Sequence, residues 1–482
     1  MKKVILLMLS AFIFPRILVA QPIDLKPLIG TQWYGLYFGG QKAGYAMSDL
    51  SVDAQGNAVF TEEAQFRIVM ATIRQEMSTT SKRVYGPDGE LVFIESRIKD
   101  QSGMETKLEA KVQGDMLLLH AEMAGTVSEK QFPKPDESIQ DALKQMELVG
   151  PKAKIGDTVS YSVFDPLHQS SIKGISTIAA EEMRTLDGVQ TRVFKVKTSL
   201  EPLGLTSTSF ITAEGLLLED VLADILVMRL EPEDIAKDVS FSNDVVVSNA
   251  AMVEEPIEEP RTRDSLELVL KGPLKQEHLF SDARQQVAMQ GDSVSFKASR
   301  LDGSALKPLS IPITEPSVVE WTKASMFVQS DNPKLIEKSK EILAGETDAL
   351  KAVEKLNHWV YENVRSTFSA RLSNALEVLE HLDGDCTEHS ILFIGLARAA
   401  GIPAREVAGL IYVDSPQPGF FFHQWAKVWV GEWIDVDPTF DQAFADVTHI
   451  KLVEGDLVNQ SRILPLIGQL DVEVVPTAAG VK

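Results

Sequence analysis

Short apolar and polar runs alternate along the first half of the chain, from about residue 31 to residue 228. Runs such as Leu91-Val92-Phe93-Ile94 and Val193-Phe194-Lys195-Val196-Lys197 carry the β-branched and aromatic residues typical of half-buried strands. Turn residues recur between the runs, at Gly39-Gly40, Gly56-Asn57, Pro87-Asp88-Gly89, Gly114-Asp115 and Asp187-Gly188. The pattern predicts a large antiparallel sheet with one helix, over residues 137–148.

The pattern changes in the second half. An acidic, proline-punctuated stretch, Val253-Glu254-Glu255-Pro256-Ile257-Glu258-Glu259-Pro260, is followed by a short β segment at 266–299 and by helical spacing at 333–343 and 348–364. A helix over 386–400 is apolar on more than one face, which predicts a buried central position, and three strand-like segments follow at 406–413, 421–430 and 433–437.

These elements predict an α+β protein, with a β-rich antiparallel N-terminal region followed by an α/β domain. We expect four segments. They are a signal peptide at 1–20, a β-rich domain at 21–250, an acidic linker with a short β segment at 251–310, and the α/β domain at 311–482.

The first twenty residues predict export. Met1-Lys2-Lys3 supplies a positive start, residues 4–14 are almost wholly apolar, and small Ala20 precedes Gln21 at a cleavage point. No later stretch reaches the ~18 apolar residues of a spanning helix, so we expect no membrane anchor after signal removal. The predicted location is the periplasm or the extracellular space.

The charge and cysteine content of the chain exclude some partners and some covalent links. The 482 residues carry a formal net charge of −22, which argues against nucleic acid as a partner because phosphate binding needs a basic face. The single cysteine, Cys386, rules out an internal disulfide. The N-terminal half contains no motif that carries chemistry, and we expect it to act as a scaffold or recognition module.

Cys386 opens the apolar helix over 386–400, where unpaired backbone N–H groups and the helix dipole stabilise a thiolate. His423 lies on the second strand-like segment and Asp437 ends the third, with a turn at Gly431-Glu432 between them. Adjacent antiparallel strands can place the two side chains together. An imidazole held by a carboxylate activates a thiol nucleophile, so these residues predict a thiol site.

The same stretch resembles the transglutaminase-like superfamily of papain-related thiol enzymes, and its tail resembles the bacterial exported branch. The resemblance rests on four ordered blocks and that tail: Gly384-Asp385-Cys386-Thr387-Glu388-His389, Leu396-Ala397-Arg398-Ala399-Ala400-Gly401-Ile402-Pro403-Ala404-Arg405, His423 with Trp425, Trp433 to Val436-Asp437-Pro438-Thr439, and Ala445-Asp446-Val447-Thr448-His449-Ile450 with Glu454-Gly455-Asp456. It covers about residues 334–457 and does not reach the N-terminal half.

The resemblance implies a papain-like cysteine enzyme domain that works through a thioester on protein or peptide amides without a cofactor. Cys386 would be the nucleophile, His423 the base and acid, and Asp437 the orienting carboxylate, with Asp435 as the competing carboxylate. The acyl group would pass to an amine, as in an acyltransferase, or to water, as in a peptidase or amidase. Two departures from the family pattern, Gln424 and Lys427, leave these three positions unchanged.

Five residues are candidate neighbours of the triad or of the substrate: Asp385, His389, Gln424, Trp425 and Asp435. Cys386 and His389 also have the spacing of zinc ligands, and His423 would complete such a site, but we favour hydrogen-bonding roles and expect no metal. The sequence contains no D-x-[DN]-x-[DN]-G calcium loop. The alternative function is a catalytically inactive cell-envelope binding module that keeps the fold.

Overall fold

The computed structural model describes residues 30–70, 73–100, 103–123, 125–186, 188–239, 249–367, 373–415 and 417–476. The predicted signal peptide lies outside these residues. They form two compact units, whose described parts are residues 30–239 and 249–476. Within the described residues, every helix is too short or too polar to cross a membrane.

The first unit is an antiparallel sheet of fourteen strands, in the order β8-β7-β6-β5-β4-β3-β2-β1-β14-β13-β12-β11-β10-β9. The strands are β1 Gly30–Phe38, β2 Gln41–Val52, β3 Ala58–Met70, β4 Ile73–Tyr85, β5 Leu91–Asp100, β6 Glu105–Gln113, β7 Met116–Met123, β8 Thr126–Pro133, β9 Thr158–Asp165, β10 Ser170–Leu186, β11 Val189–Glu201, β12 Leu205–Thr212, β13 Leu217–Leu222 and β14 Leu226–Leu230. The predicted β-rich antiparallel region is confirmed.

Alternation of side chains explains why these segments form a sheet. In β6, Leu108 and Ala110 are buried while their neighbours are more exposed, and Leu117 and Leu119 repeat the pattern in β7. Helix α1 (Ile139–Leu148) lies between β8 and β9, where the sequence predicts a helix, and a short helix α2 (Glu233–Ala236) follows the last strand. The carboxylate of buried Glu137, just before α1, accepts hydrogen bonds from Arg83, Tyr85 and the backbone N–H of Phe164.

The second unit combines two sheets with a group of helices. One sheet has the order β15-β22-β21-β24 with β23 paired to β22, the other has the order β17-β18-β16-β25, and β19 and β20 form a short parallel pair. The strands are β15 Ala251–Met252, β16 Ser265–Lys271, β17 Gln285–Gln290, β18 Ser293–Ser299, β19 Arg365–Ser366, β20 Asp383–Gly384, β21 Ala404–Val413, β22 Gly419–Trp429, β23 Trp433–Val436, β24 Ile450–Glu454 and β25 Asp471–Val474. The helices are α3 Pro333–Leu343, α4 Ala349–Asn363, α5 Ala375–His381, α6 Cys386–Ala399 and α7 Leu457–Gln460.

Helix α6 is the centre of this unit. It packs on β22 and β21, and α3, α4 and α5 surround its other faces. Every residue from Thr387 to Ala397 is buried, as the apolar pattern predicts. Gly395 lets α5 approach closely, because a Cβ at that position would lie 3.0 Å from the Cβ of Ala375. The domain boundaries near residues 250 and 310 stay predictions.

Candidate active site

Cys386 is the first residue of α6, and the residues just before it fix its position. The Asp385 carboxylate accepts a hydrogen bond from the backbone N–H of Thr387 at 2.9 Å, and Glu388 accepts one from the backbone N–H of Asp385 at 2.8 Å. This reciprocal capping box begins the helix at Cys386. A Cβ on Gly384, whose φ is +155°, would lie 2.2 Å from the Cβ of Glu388, so the turn requires glycine.

His423 lies on β22 opposite Gly409 of β21. A Cβ on Gly409 would lie 1.9 Å from the carbonyl oxygen of Ile450 and 3.0 Å from the Trp425 ring, so glycine allows three strands and that ring to meet here. Trp425, two residues along the strand, stacks on His423 with ring centroids 5.9 Å apart. The Phe440 ring meets His423 edge-on at 5.6 Å. These contacts hold the imidazole in one orientation.

Asp437 follows β23 and is fully buried. Its Oδ2 lies 2.8 Å from His423 Nε2, and its Oδ1 accepts a hydrogen bond from the backbone N–H of Thr439 at 2.8 Å. Burial alone would raise the pKa of Asp437. Charge attraction to His423 and hydrogen bonds from His423 and His449 outweigh burial and hold that pKa well below its usual range. The carboxylate is therefore ionised.

The Cys386 thiol is close enough to His423 to act on the pKa of the imidazole. Burial acts to lower the pKa of His423, but the charges of Asp437 and Cys386, with their hydrogen bonds, raise it to about 10. The imidazole is thus held in its protonated form between a carboxylate and a thiol that is only partly buried.

Asp435, the competing carboxylate, contacts a different set of groups. Its Oδ2 lies 3.1 Å from Arg284 Nε and 3.2 Å from Lys451 Nζ. Burial would raise the pKa of Asp435, but the charges of Lys451, Arg284 and Lys427 lower it strongly. The structure therefore brings Asp437, and not Asp435, to His423.

His389 is one turn along α6 from Cys386, and backbone carbonyls face both of its ring nitrogens. Nδ1 lies 2.8 Å from the carbonyl oxygen of Asp385, and Nε2 lies 3.1 Å from that of Val364. These contacts tie α6 to the end of α4 and leave no ring nitrogen for the zinc site that the Cys-x-x-His spacing raised as an alternative.

Gln424 lies on β22 beside His423, and its side chain is buried. Its Nε2 donates to Glu406 at 3.1 Å, and the backbone carbonyl oxygen of Gln424 accepts a hydrogen bond from Ser390 Oγ at 3.0 Å. The same Ser390 hydroxyl lies 2.7 Å from the carbonyl oxygen of Cys386, so it joins the first turn of α6 to the strand that carries His423. The structure places Gln424 outside the contacts of the thiol.

His449 is fully buried beside Asp437, and no sequence pattern predicted a role for it. His449 Nε2 lies 2.9 Å from Asp437 Oδ2, and its Nδ1 lies 3.2 Å from Asp446 Oδ1. The Asp446-x-x-His449 tail was the only signal in the sequence. Among the described residues, His423, Asp437 and His449 place ligand atoms within 4.8 Å of one another, the spacing of a metal site. Hydrogen bonds between those atoms already account for that spacing.

Comparison with known proteins identifies the domain. Residues 336–438 match the model of the transglutaminase-like superfamily. An uncharacterised protein from Haemophilus influenzae is 36% identical over 98 residues, which make up 19% of this chain and 26% of that protein. The chain therefore spans about a quarter of the length of this curated relative.

Two solved structures are also similar at low identity. One is a “putative cysteine protease” from Cytophaga hutchinsonii, with 17% identity, a TM-score of 0.29, and coverage of 44% of this chain and 82% of the other. The second is a “putative protease” from Parabacteroides distasonis, with 10% identity, a TM-score of 0.20, and coverage of 83% of this chain and 70% of the other.

The chain contains a transglutaminase-like domain, and the predicted fold class is confirmed. The assignment rests on the family model. The domain has the fold of a superfamily of thiol enzymes, in the part of the chain that holds Cys386, His423 and Asp437.

Proposed function

We propose that the C-terminal unit is a thiol enzyme that acts on protein or peptide amides through Cys386, His423 and Asp437. The observation that supports this is the 2.8 Å contact of His423 Nε2 with the buried carboxylate of Asp437, beside a partly buried Cys386 thiol that is close enough to raise the pKa of His423. Cys386 is the first residue of α6, the imidazole of His423 is held protonated, and the carboxylate of Asp437 is ionised. This arrangement favours a thiolate paired with an imidazolium.

In the first half of the reaction, Cys386 Sγ attacks the amide carbonyl carbon. A C–S bond forms and the π electrons of the carbonyl move to its oxygen. The backbone N–H of Cys386, at the first position of α6, is not used within the helix and is available to that oxyanion. As the C–N bond breaks, His423 gives its proton to the leaving amine, and a thioester remains on Cys386.

In the second half, water or an amine attacks the thioester. His423 takes a proton from the attacking group, the C–S bond breaks, and the thiolate with its imidazolium partner is restored. Water gives hydrolysis, while an amine gives acyl transfer. Asp437 keeps His423 in the tautomer and orientation that both halves need.

Phe440 is the residue that we propose for contact with the substrate. It is 37% exposed although its ring packs against His423, and the guanidinium of Arg261 lies 4.7 Å from the ring centroid. The same residue lines a cavity of about 560 Å³ with Arg261, Arg300 and parts of the loop 441–446. An aromatic wall beside the reacting imidazole suits a peptide chain held by packing and by charge.

A peptide-library assay tests the reaction. The chain from residue 21 onward and its Cys386→Ser variant are incubated with a mixed peptide library, with and without a primary amine. We expect Cys386-dependent products, together with a transient acyl adduct on Cys386 by mass spectrometry. A new carboxyl group, from deamidation or from peptide cleavage, identifies hydrolysis, and amine incorporation identifies transfer. Equal product patterns for both proteins would contradict the proposal.

We also propose that the chain is exported and that its substrate is met outside the cytoplasm. The support is the charged start, apolar run and small-residue cleavage point within residues 1–20. Expression of the full chain in a bacterium, followed by fractionation and N-terminal sequencing, tests this. A mature N-terminus at or near Gln21 in the periplasm or medium is expected, and an intact Met1 in the cytoplasm would contradict it.

A further inference from the structure

We propose that His449 is a positioning residue for the triad, because it holds the same carboxylate oxygen of Asp437 that His423 contacts. The inference rests on the proposed function of Cys386, His423 and Asp437. His449 Nε2 and His423 Nε2 lie 2.9 Å and 2.8 Å from the same oxygen, Asp437 Oδ2. One carboxylate oxygen is thus shared between the imidazole of the triad and a second, fully buried imidazole.

The network of hydrogen bonds around Asp437 continues beyond His449. Asp446 Oδ1 faces His449 Nδ1 at 3.2 Å and also accepts the backbone N–H of Thr448 at 2.7 Å, while Asp446 Oδ2 lies 3.0 Å from Arg261 Nη1. Arg261 is itself fixed by a 2.7 Å hydrogen bond to the carbonyl oxygen of Tyr412 on β21. His449 is therefore anchored to the fold on the side that faces away from Asp437.

Both contacts of His449 are with carboxylates that are ionised. Burial would raise the pKa of Asp446, but the hydrogen bond and charge of His449, with help from Arg261, hold that pKa well below its usual range, as happens for Asp437. An ionised carboxylate only accepts hydrogen bonds. In the contact of His449 Nε2 with Asp437 Oδ2, the imidazole is therefore the donor and the carboxylate the acceptor.

The Nε2 donor controls the orientation of Asp437. Its Oδ1 is held by the backbone N–H of Thr439, but Oδ2 has no anchor independent of the triad among the described residues other than His449. Trp425 packs against both rings, 5.9 Å from His423 and 5.1 Å from His449 between ring centroids, and so fixes their separation. Because Asp437 orients His423, the group that holds Oδ2 sets how well His423 serves the thiol.

Two substitutions distinguish the hydrogen bond made by His449 Nε2 from the one made by His449 Nδ1. The side-chain NH2 of His449→Gln occupies the place of Nε2 and keeps the donor to Asp437, whereas that of His449→Asn occupies the place of Nδ1 and keeps only the donor to Asp446. The measurement is the second-order rate of Cys386 alkylation by iodoacetamide at about pH 6, where an ordinary thiol is mostly protonated. His358→Gln is the control. His358 also pairs with an aspartate, Asp441, at 2.9 Å, but it is exposed and lies outside the hydrogen-bonded network of Asp437, His449 and Asp446.

We expect His449→Asn to slow alkylation about tenfold and His449→Gln to stay within about threefold of wild type, in line with loss or retention of one charged hydrogen bond. In an Asp437→Asn background neither substitution should slow the reaction further. Equal rates for the two variants, or the same loss from His449→Asn in both backgrounds, would overturn the proposal.

Two further measurements separate failure of the His449 proposal from failure of the proposed function. If His449→Asn does not fold, ¹⁵N-histidine NMR of the wild-type chain, assigned with His449→Gln, decides the point: a proton on His449 Nε2 supports the proposal, and an unprotonated Nε2 overturns it. If the wild-type thiol reacts no faster than that of the urea-unfolded chain and His423→Ala changes nothing, the proposed function itself has failed. An activated thiol that is indifferent to His449→Asn instead refutes only the positioning role.

Discussion

At the scale of single residues, the site is a set of charges that stabilise one another only while buried together. His423 is nearly inaccessible to water, yet its imidazolium is favoured because Asp437 and Cys386 flank it. The same contacts lower the pKa of Asp437. The folded state therefore binds a proton on His423 that the unfolded chain releases at a lower pH, and stability becomes linked to pH.

The pKa of His423 rises from 6.5 to about 10 on folding. Its contribution to stability is fully present below about pH 6.5 and is lost as the pH rises through about 10. We expect the difference in unfolding free energy between wild type and His423→Gln to shrink between about pH 7 and pH 10. Urea unfolding followed by tryptophan fluorescence measures it, since five of the six tryptophans lie in the second unit. A difference that is constant or grows with pH would contradict this account.

At the scale of elements, the site depends on how closely α6, β21, β22 and β24 approach one another. Sequence patterns predicted α6, β21 and β22 because their apolar spacing is strong and their ends carry clear signals, such as Asp385 before the helix, but they did not predict β24. They placed Cys386 at the helix start and His423 on a central strand. They gave no role to Gly409, because a glycine in a strand looks like a weak point until the neighbouring backbone is seen.

Gly409→Ala tests that close approach. The new Cβ would meet the carbonyl oxygen of Ile450 and the Trp425 ring, so strand pairing beside His423 must shift. We expect a loss of about 1–3 kcal/mol in the stability of the second unit and slower alkylation of Cys386. Gly150→Ala is the control, because a Cβ there has no heavy atom within 4 Å. Equal thermal melts and alkylation rates for the two variants would refute the tight packing at Gly409.

Asp385→Ala tests the helix cap separately. It removes the acceptor for the backbone N–H of Thr387, and a lost N-cap costs about 1 kcal/mol. Asp385→Asn keeps an oxygen acceptor and should recover most of that stability. Urea unfolding of the three proteins measures the effect. A deficit of the same size in Asp385→Asn would show that charge, and not the cap, is what Asp385 contributes.

At the scale of the molecule, buried ion pairs connect the two sheets of the second unit. Lys451 is fully buried on β24, its ammonium contacts Asp282 just before β17, and it lies 3.2 Å from Asp435 on β23 and 3.0 Å from Glu454. No sequence pattern predicted this cluster, since Asp282 is far along the chain from Asp435, Lys451 and Glu454. It also explains why Asp435, one strand repeat from Asp437, was an ambiguous candidate: both aspartates are buried, but with different cations.

Lys451→Met tests that cluster. It leaves Asp282 and Asp435 with fewer cations in a buried setting, and breaking a buried ion pair costs roughly 3–5 kcal/mol. The second unit should unfold at a clearly lower urea concentration. Lys297→Met is the matched control, because Lys297 pairs with Glu267 at the surface and should contribute about 0–1 kcal/mol. Similar midpoints for both variants would show that the cluster is not stabilising.

The most direct test of the account is the pH dependence of Cys386 alkylation in wild type and in His423→Ala, because the chain has one thiol to report. A thiolate paired with the His423 imidazolium predicts that wild type stays reactive at about pH 6 and that His423→Ala reacts only as the pH approaches about 8.5, the range of an ordinary thiol. Superimposable profiles with midpoints near about 8.5 would contradict the account and leave the domain as a binding module that keeps the fold of a thiol enzyme.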